Sequence, residues 1–327
     1  MLSKHDLLLA TIARTPTSRI PVALWRHWPV EDHSAEDLAR ATLDFQRRFD
    51  FDFIKLTPSQ VFVAEDAGLT GVYEGNPEGD LVKGPRPISS LEQWEAMSPL
   101  SIHAGALARQ LRCVNLVVAG AADTPVLQTI FNPLTVAACL AGDQATIWRR
   151  RYPDAFQRGF DTIIETWRGF VAAVIAAGAA GIFFSTADAS YRSMSEEEYL
   201  RWGRPSDLAL LDAAGSGWFN MLHVHGDDLM FKLVADYPVQ VVNWDDQRAG
   251  PSLREGQSLV RGAVAGGIAQ WGALLSGSAD DVRAQVADGI AQTGGIGYIV
   301  AAGCVTPIPA PERNIRAVIS AARGDMV

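Results

Sequence analysis

Apolar and polar positions along the chain fall into two alternating textures. Short runs rich in β-branched and aromatic residues occur at Ile20–Trp25, Phe51–Thr57, Val126–Phe131, Gly181–Ser185, Phe219–His225, Val239–Trp244, Gly267–Trp271 and Gly297–Ala302. Most are nearly continuous rather than alternating, the pattern of parallel strands covered on both faces. Between them lie stretches with helical periodicity, best seen at Ser34–Phe49, Asp154–Ala177, Met230–Asp236, Ser278–Ala291 and Pro311–Ala322. One helix start is well marked, because Ser278 can cap it with Asp281 three residues later. The longest apolar stretch, Phe170–Phe184, is too short to span a bilayer and contains two glycines. It reads as a helix end followed by a strand, and no membrane segment is expected.

Strand and helix alternate about eight times with no Ser/Pro/Gly-rich linker, so residues 1–327 are expected to form one domain. Eight βα units in a chain of this length predict an α/β fold, a single (β/α)8 TIM barrel. An open doubly wound sheet is the alternative, but no Gly-x-Gly-x-x-Gly follows the first strand. The segment Ala67–Pro87, rich in Gly, Pro and acidic residues, reads as an excursion over the barrel mouth.

Composition narrows the function classes. The chain has 327 residues, 48% hydrophobic and 20% charged, enough to bury a full core. A net charge of −9 with dispersed Lys and Arg argues against nucleic acid and anionic lipid as partners. Cys113, Cys139 and Cys304 are too few and scattered for a disulfide framework. With an N-terminus lacking the apolar core of a signal peptide, they point to the cytoplasm.

In a barrel, chemistry gathers at the C-terminal ends of strands. Those ends carry Arg26, His27, Trp28, Glu65, Asn132, Asp188, His223, His225, Asp245 and Cys304. The sharpest feature is His223-Val224-His225, since side chains at i and i+2 of a strand share a face. Cys304, at the end of the last run, can approach from across the mouth. Two imidazoles, a thiolate and a carboxylate would suit zinc with an exchangeable position. Asp245 is the first choice for the carboxylate and Glu65 the second. The same residues also fit a satisfied core His223, a substrate-contacting His225 and a small buried Cys304. Arg26 suits an anion clamp, or a scaffold pair with Asp188 or Asp245. Trp25, Trp28, Trp218 and Trp244 suit pocket lining or rim packing. Asp227 and Asp228 suit helix capping. Nothing around Ser185 resembles a nucleophile elbow.

Four segments carry a resemblance. Arg19–Arg26 is similar to the opening strand of uroporphyrinogen decarboxylases, and Ile175–Asp188 to their fourth-strand segment. Leu222-His-Val-His-Gly226 lies where that family has His-x-Cys-Gly, and Gly297–Ile315 resembles its last strand, proline-rich loop and final helix. The likeness, in the same order over most of the chain, implies membership of that superfamily. Authentic decarboxylases resemble one another in an Arg-x-x-x-Arg pair, where this chain has Val30 at the second position. They carry a carboxylate after the second strand, where Leu56–Gln60 has none, and Gly-His-Gly where Gly303-Cys304-Val305 stands. An octacarboxylate tetrapyrrole would lose partners at all three.

The other large branch, similar to methylcobalamin:thiol methyltransferases, has zinc ligands in a His-x-Cys…Cys pattern. His223, His225 and Cys304 match it in position, with histidine in place of the middle cysteine. The resemblance therefore implies a zinc-dependent methyltransferase moving a methyl group from a corrinoid to a small thiol. Arg26, His27 and Asp188 would serve catalysis, and Asn132 and Trp244 the cofactor. Methylcobalamin would arrive free or on a separate corrinoid protein, and a homodimer is allowed. Uroporphyrinogen decarboxylation, a metal-assisted lyase or hydrolase of a small carboxylate, and a non-catalytic tetrapyrrole-binding protein are the alternatives.

Overall fold

The computed structural model describes residues 2–324. Nine strands occur among the described residues: β1 Ile54–Leu56, β2 Gly71–Tyr73, β3 Leu81–Lys83, β4 Val126–Phe131, β5 Gly181–Thr186, β6 Met221–Val224, β7 Val241–Trp244, β8 Ala263–Ile268 and β9 Tyr298–Ala302. Seven of them form one curled parallel sheet in the order β1-β4-β5-β6-β7-β8-β9, and β2 and β3 form a separate antiparallel hairpin. The sheet strands are buried almost throughout, as continuous apolar runs require.

The first apolar run, expected to be an eighth strand, makes only an isolated parallel bridge from Val22 to Val300. Its flanks are nonetheless tied to both edge strands' neighbourhoods: Ala23 N donates to Val300 O, Val300 N to Pro21 O, and Asp52 N to Val22 O. The ladder stops for two local reasons. Pro21 has no N–H, and the Val22 N–H donates to the Asp52 carboxylate at 2.8 Å instead of a neighbouring strand. Asp52 is itself gripped by both terminal nitrogens of Arg19.

The seventh apolar run is also displaced. The strand lies at Ala263–Ile268, and Gln270–Leu274, which includes Trp271, is a π-helical turn. Two glycines bring β8 against its neighbour: the Gly267 N–H (φ +96°) donates to Asp246 Oδ1, and a Cβ on Gly266 would meet that carboxylate at 2.4 Å.

Helices cover the sheet where the periodicity predicts them, at Ala35–Phe49, Pro153–Ala176, Phe231–Val234, Ala279–Thr293 and Glu312–Arg323. Ser278 and Asp281 close the expected capping box. Others, including Gly105–Gly120, Pro133–Ala141 and Arg204–Ala213, complete the cover. Among the described residues, no helix is long and apolar enough to cross a membrane.

The β2–β3 hairpin falls inside the Ala67–Pro87 excursion and forms a strap. Ile308 N donates to Pro77 O, and Gly79 (φ +88°) lies so close to His27 that a Cβ there would sit 2.5 Å from the His27 Cβ.

Candidate metal centre

β6 and β7 pair in a register that sets His223 directly opposite Asn243. The His223 ring is buried, stacked on Phe183 at 5.4 Å between centroids. Its Nδ1 lies 2.7 Å from Asn243 Oδ1. Asn243 has no freedom to turn, because its Nδ2 donates to Ala265 O at 3.0 Å and Ala302 O at 3.1 Å. The amide oxygen must therefore accept, so His223 carries its proton on Nδ1 and keeps the Nε2 lone pair as a ligand.

His225, one residue beyond β6, is anchored by its backbone N–H to Thr186 O. Its ring centroid lies 5.6 Å from that of His223. Solvent reaches it at the mouth, yet surrounding protein removes enough water to lower its pKa, against the opposing pull of Glu78 and Asp80. Cys304 follows β9 through Gly303, whose missing Cβ leaves the space that Asp245 fills. Its Sγ lies 3.7 Å from His225 Nδ1. One ligand atom from each of His223, His225 and Cys304 lies within 4.8 Å of the other two. This trio lines a cavity of about 580 Å³ together with Trp25, His27, Lys55, Glu78, Asp80 and Phe183.

Residues 3–324 match the uroporphyrinogen decarboxylase (URO-D) family. The chain belongs to the URO-D family. Its fold is similar to a methyltransferase from Methanosarcina mazei (TM-score 0.85, 18% identity, 99% of each chain covered). It is more distantly similar to two proteins described as B12-independent methionine synthases. One is from a Shewanella species, in complex with selenomethionine (TM-score 0.52, 16% identity, 94% of each chain). The other, described as putative, is from Listeria monocytogenes (TM-score 0.57, 10% identity, 94% of this chain and 98% of that one). No curated protein matches the chain.

The structure also places the positions read as departures from the decarboxylase pattern. Val30 is 71% exposed, and Thr57 and Ser59 are buried without hydrogen-bond partners for their hydroxyls. His27 lines the cavity as expected, and burial, then the Lys55 charge, push its pKa down to about 3. It is a neutral imidazole at pH 7.

Other expected site residues stand elsewhere. Arg26 is outside the cavity: its guanidinium covers Trp28 at 4.4 Å and one nitrogen reaches Ile308 O, in a groove beside Phe45 and Glu312. Trp244 is core, packed on Phe231, with its Nε1 donating to Pro251 O. Asn132 caps the helix Pro133–Ala141. Asp188 accepts from the hydroxyl of Thr135, a cavity residue, and burial raises its pKa while Asn132 and Thr135 oppose that. Neither expected carboxylate joins the trio. Asp245 accepts from Gln270 Nε2 at 3.1 Å, and Glu65 is held by both terminal nitrogens of Arg109.

Four residues were given no role in the sequence reading: Asn243, noted only as a polar strand end, and Lys55, Glu78 and Asp80. Lys55 left a signal, as a lone ammonium inside the apolar run Phe51–Thr57.

Proposed function

We propose that the chain is a zinc-dependent methyltransferase that passes a methyl group from a corrinoid or similar donor to a small thiol. The observation that carries this reading is the convergence of His223, His225 and Cys304 on one cavity, with Asn243 fixing the His223 tautomer. Two imidazoles and one thiolate are the donor types and the count of a catalytic zinc site, in which a fourth position is left for substrate. The Methanosarcina mazei neighbour's description as a methyltransferase supports the choice of reaction. On this reading Ile20–Trp25 serves as the eighth strand of a (β/α)8 barrel, residues 1–327 act as one cytoplasmic domain, and the methyl donor arrives free or on a separate corrinoid protein.

Zinc, when bound, would hold an incoming thiol as a thiolate at neutral pH. The chain's own residues do the rest. Asn243 keeps His223 presenting Nε2, and the strand pairing below it holds the ring still. His27, being neutral, adds no charge that would compete for the thiolate. Glu78 and Asp80, on the strap, place negative potential beside His225 and so favour a cation at the trio. Trp25 and Phe183 give the cavity rigid apolar walls, which matters because methyl transfer demands close alignment of nucleophile and carbon.

The test pairs two assays. Loss of the methylcobalamin spectrum on adding a panel of thiols should be catalysed by the protein, and anaerobic uroporphyrinogen should be left unchanged. Coproporphyrinogen formed at a catalytic rate would instead identify a decarboxylase that tolerates Val30 and the carboxylate-free Leu56–Gln60 segment.

A further inference from the structure

Lys55 stands in the middle of β1 and is 9% exposed. Its ammonium lines the same cavity as the metal-donor trio. It lies 4.7 Å from the Phe183 ring centroid and 6.0 Å from that of Trp25. No hydrogen bond or ion pair joins it to any described residue. This is unlike other buried or half-buried cations: Arg19 grips Asp52, Arg149 reaches Glu198, and Arg14 donates to three backbone carbonyls. A desolvated ammonium without a counter-charge is unfavourable, and the faces of two aromatic rings compensate only in part. The acidic side chain that acts on it is Cys304, itself a member of the donor trio.

We propose that Lys55 binds a carboxylate of the methyl acceptor, which makes the enzyme selective for small mercapto-carboxylic acids. The proposal rests on the methyltransferase reading and names the acceptor class of that site. Three features favour a carboxylate. A single ammonium matches a single negative charge, whereas a phosphate dianion asks for more donors than this point of the cavity offers. Phe183 and Trp25 set apolar rings beside the ammonium, surroundings that suit a small, weakly hydrated carboxylate better than a strongly hydrated dianion. Glu78 and Asp80 on the strap repel an anion from the side of His225, so an acidic end settles at Lys55 while the sulfur end meets the trio. The acceptor is thus held at two points, and the chain between its acid and its thiol sets the fit.

Calorimetric titration of the zinc-loaded protein with 3-mercaptopropionate and with its neutral counterpart 3-mercaptopropan-1-ol tests this without any methyl donor. The wild type is expected to bind the acid more tightly. Lys55→Met should weaken the acid by about 10- to 100-fold, the worth of a charge-assisted hydrogen bond, with little change for the alcohol. Lys55→Arg should keep part of the preference. Lys83→Met, which removes an exposed cation from the rim of the cavity, should keep all of it. Zinc content and melting temperature are read on each variant. Equal binding of acid and alcohol by the wild type overturns the proposal even if Lys55→Met fails to fold. So does a preference abolished by Lys83→Met instead, or a Lys55→Met protein that has lost its zinc and weakened both ligands alike. Acid selectivity that persists while no thiol accepts a methyl group would sink the methyltransferase reading and leave the carboxylate anchor standing.

Discussion

Tyr199, Asp207 and Tyr237 form a polar cluster among the covering helices that is built on the opposite plan from the cavity trio. There the two hydroxyls both donate to Asp207 Oδ2, at 2.7 and 3.0 Å, and lie 2.8 Å from each other. All three side chains are buried. Burial raises the pKa of Asp207 to about 7 and keeps both phenols protonated well beyond their usual range. The hydroxyls turn inward onto Oδ2, and the remaining oxygen, Oδ1, is sealed inside the cover without a hydrogen-bond partner. In the cavity the polar atoms are just as carefully placed, but His223 Nε2, His225, Cys304 and Lys55 leave capacity unused. Hydroxyls that close on one carboxylate oxygen inside the helical cover tie the fold together. Polar atoms left unused in a cavity are a place for something else to bind.

Substitutions should separate the two plans. The largest effect expected is on metal. His223→Ala and Cys304→Ser should each reduce zinc from about one per chain to a small fraction by elemental analysis, with a smaller loss of melting temperature than a change at Asp207 brings. Equal zinc in both variants and the wild type would remove the distinction. Next, Asp207→Ala strands two buried phenols and should destabilise the protein by about 3 kcal/mol or more in urea titration, leaving zinc content intact. The same residue gives a pH signature. Its folded pKa, about 7 against an ordinary 3.8, means the native state holds a proton that the unfolded chain releases. Stability should therefore fall as pH rises from about 4 to 7, and Asp207→Asn should flatten that slope.

Asn243→Ala should give a smaller loss, about 10- to 100-fold in zinc affinity, because it frees the His223 ring without removing a ligand. A competition titration against a chelator reads it, and an unchanged affinity would show that the tautomer needs no help from Asn243. Smallest is Arg26→Ala, which should change zinc content and thiol affinity by less than about twofold, since the residue faces the Trp28 groove. A large effect there would return the anion clamp to Arg26.

Much of this was legible in the chain. The histidine pair could be read because the i, i+2 rule is local, and Cys304 because it ends the last apolar run. The Ala67–Pro87 excursion was visible from its composition, and it supplies Glu78 and Asp80. What could not be read depends on register and on capture by neighbours. Asn243 is one of many polar residues until β6 and β7 pair it with His223. Asp245 and Glu65 look free in sequence, and only the fold shows Gln270 and Arg109 holding them. The eighth strand was expected from an apolar run, but the Asp52 carboxylate competes for its N–H and Pro21 has none. Lys55 could have been found, since a cation amid Phe51, Phe53, Ile54 and Leu56 contradicts the strand's burial.

The trio also has a timetable. His225 and Cys304 are 79 residues apart, with β7, β8 and β9 between them. On a ribosome adding roughly 5–20 residues per second, the thiol follows the imidazoles by roughly 4 to 16 s. Throughout that interval the nascent chain owns two donors and no site, because the third arrives only when β9 docks beside β8. On the zinc reading, metal capture is thereby deferred until β9 is in place. On the same reading, a chain stopped short of β9 should emerge without metal, so that zinc retention doubles as a record that β9 has docked.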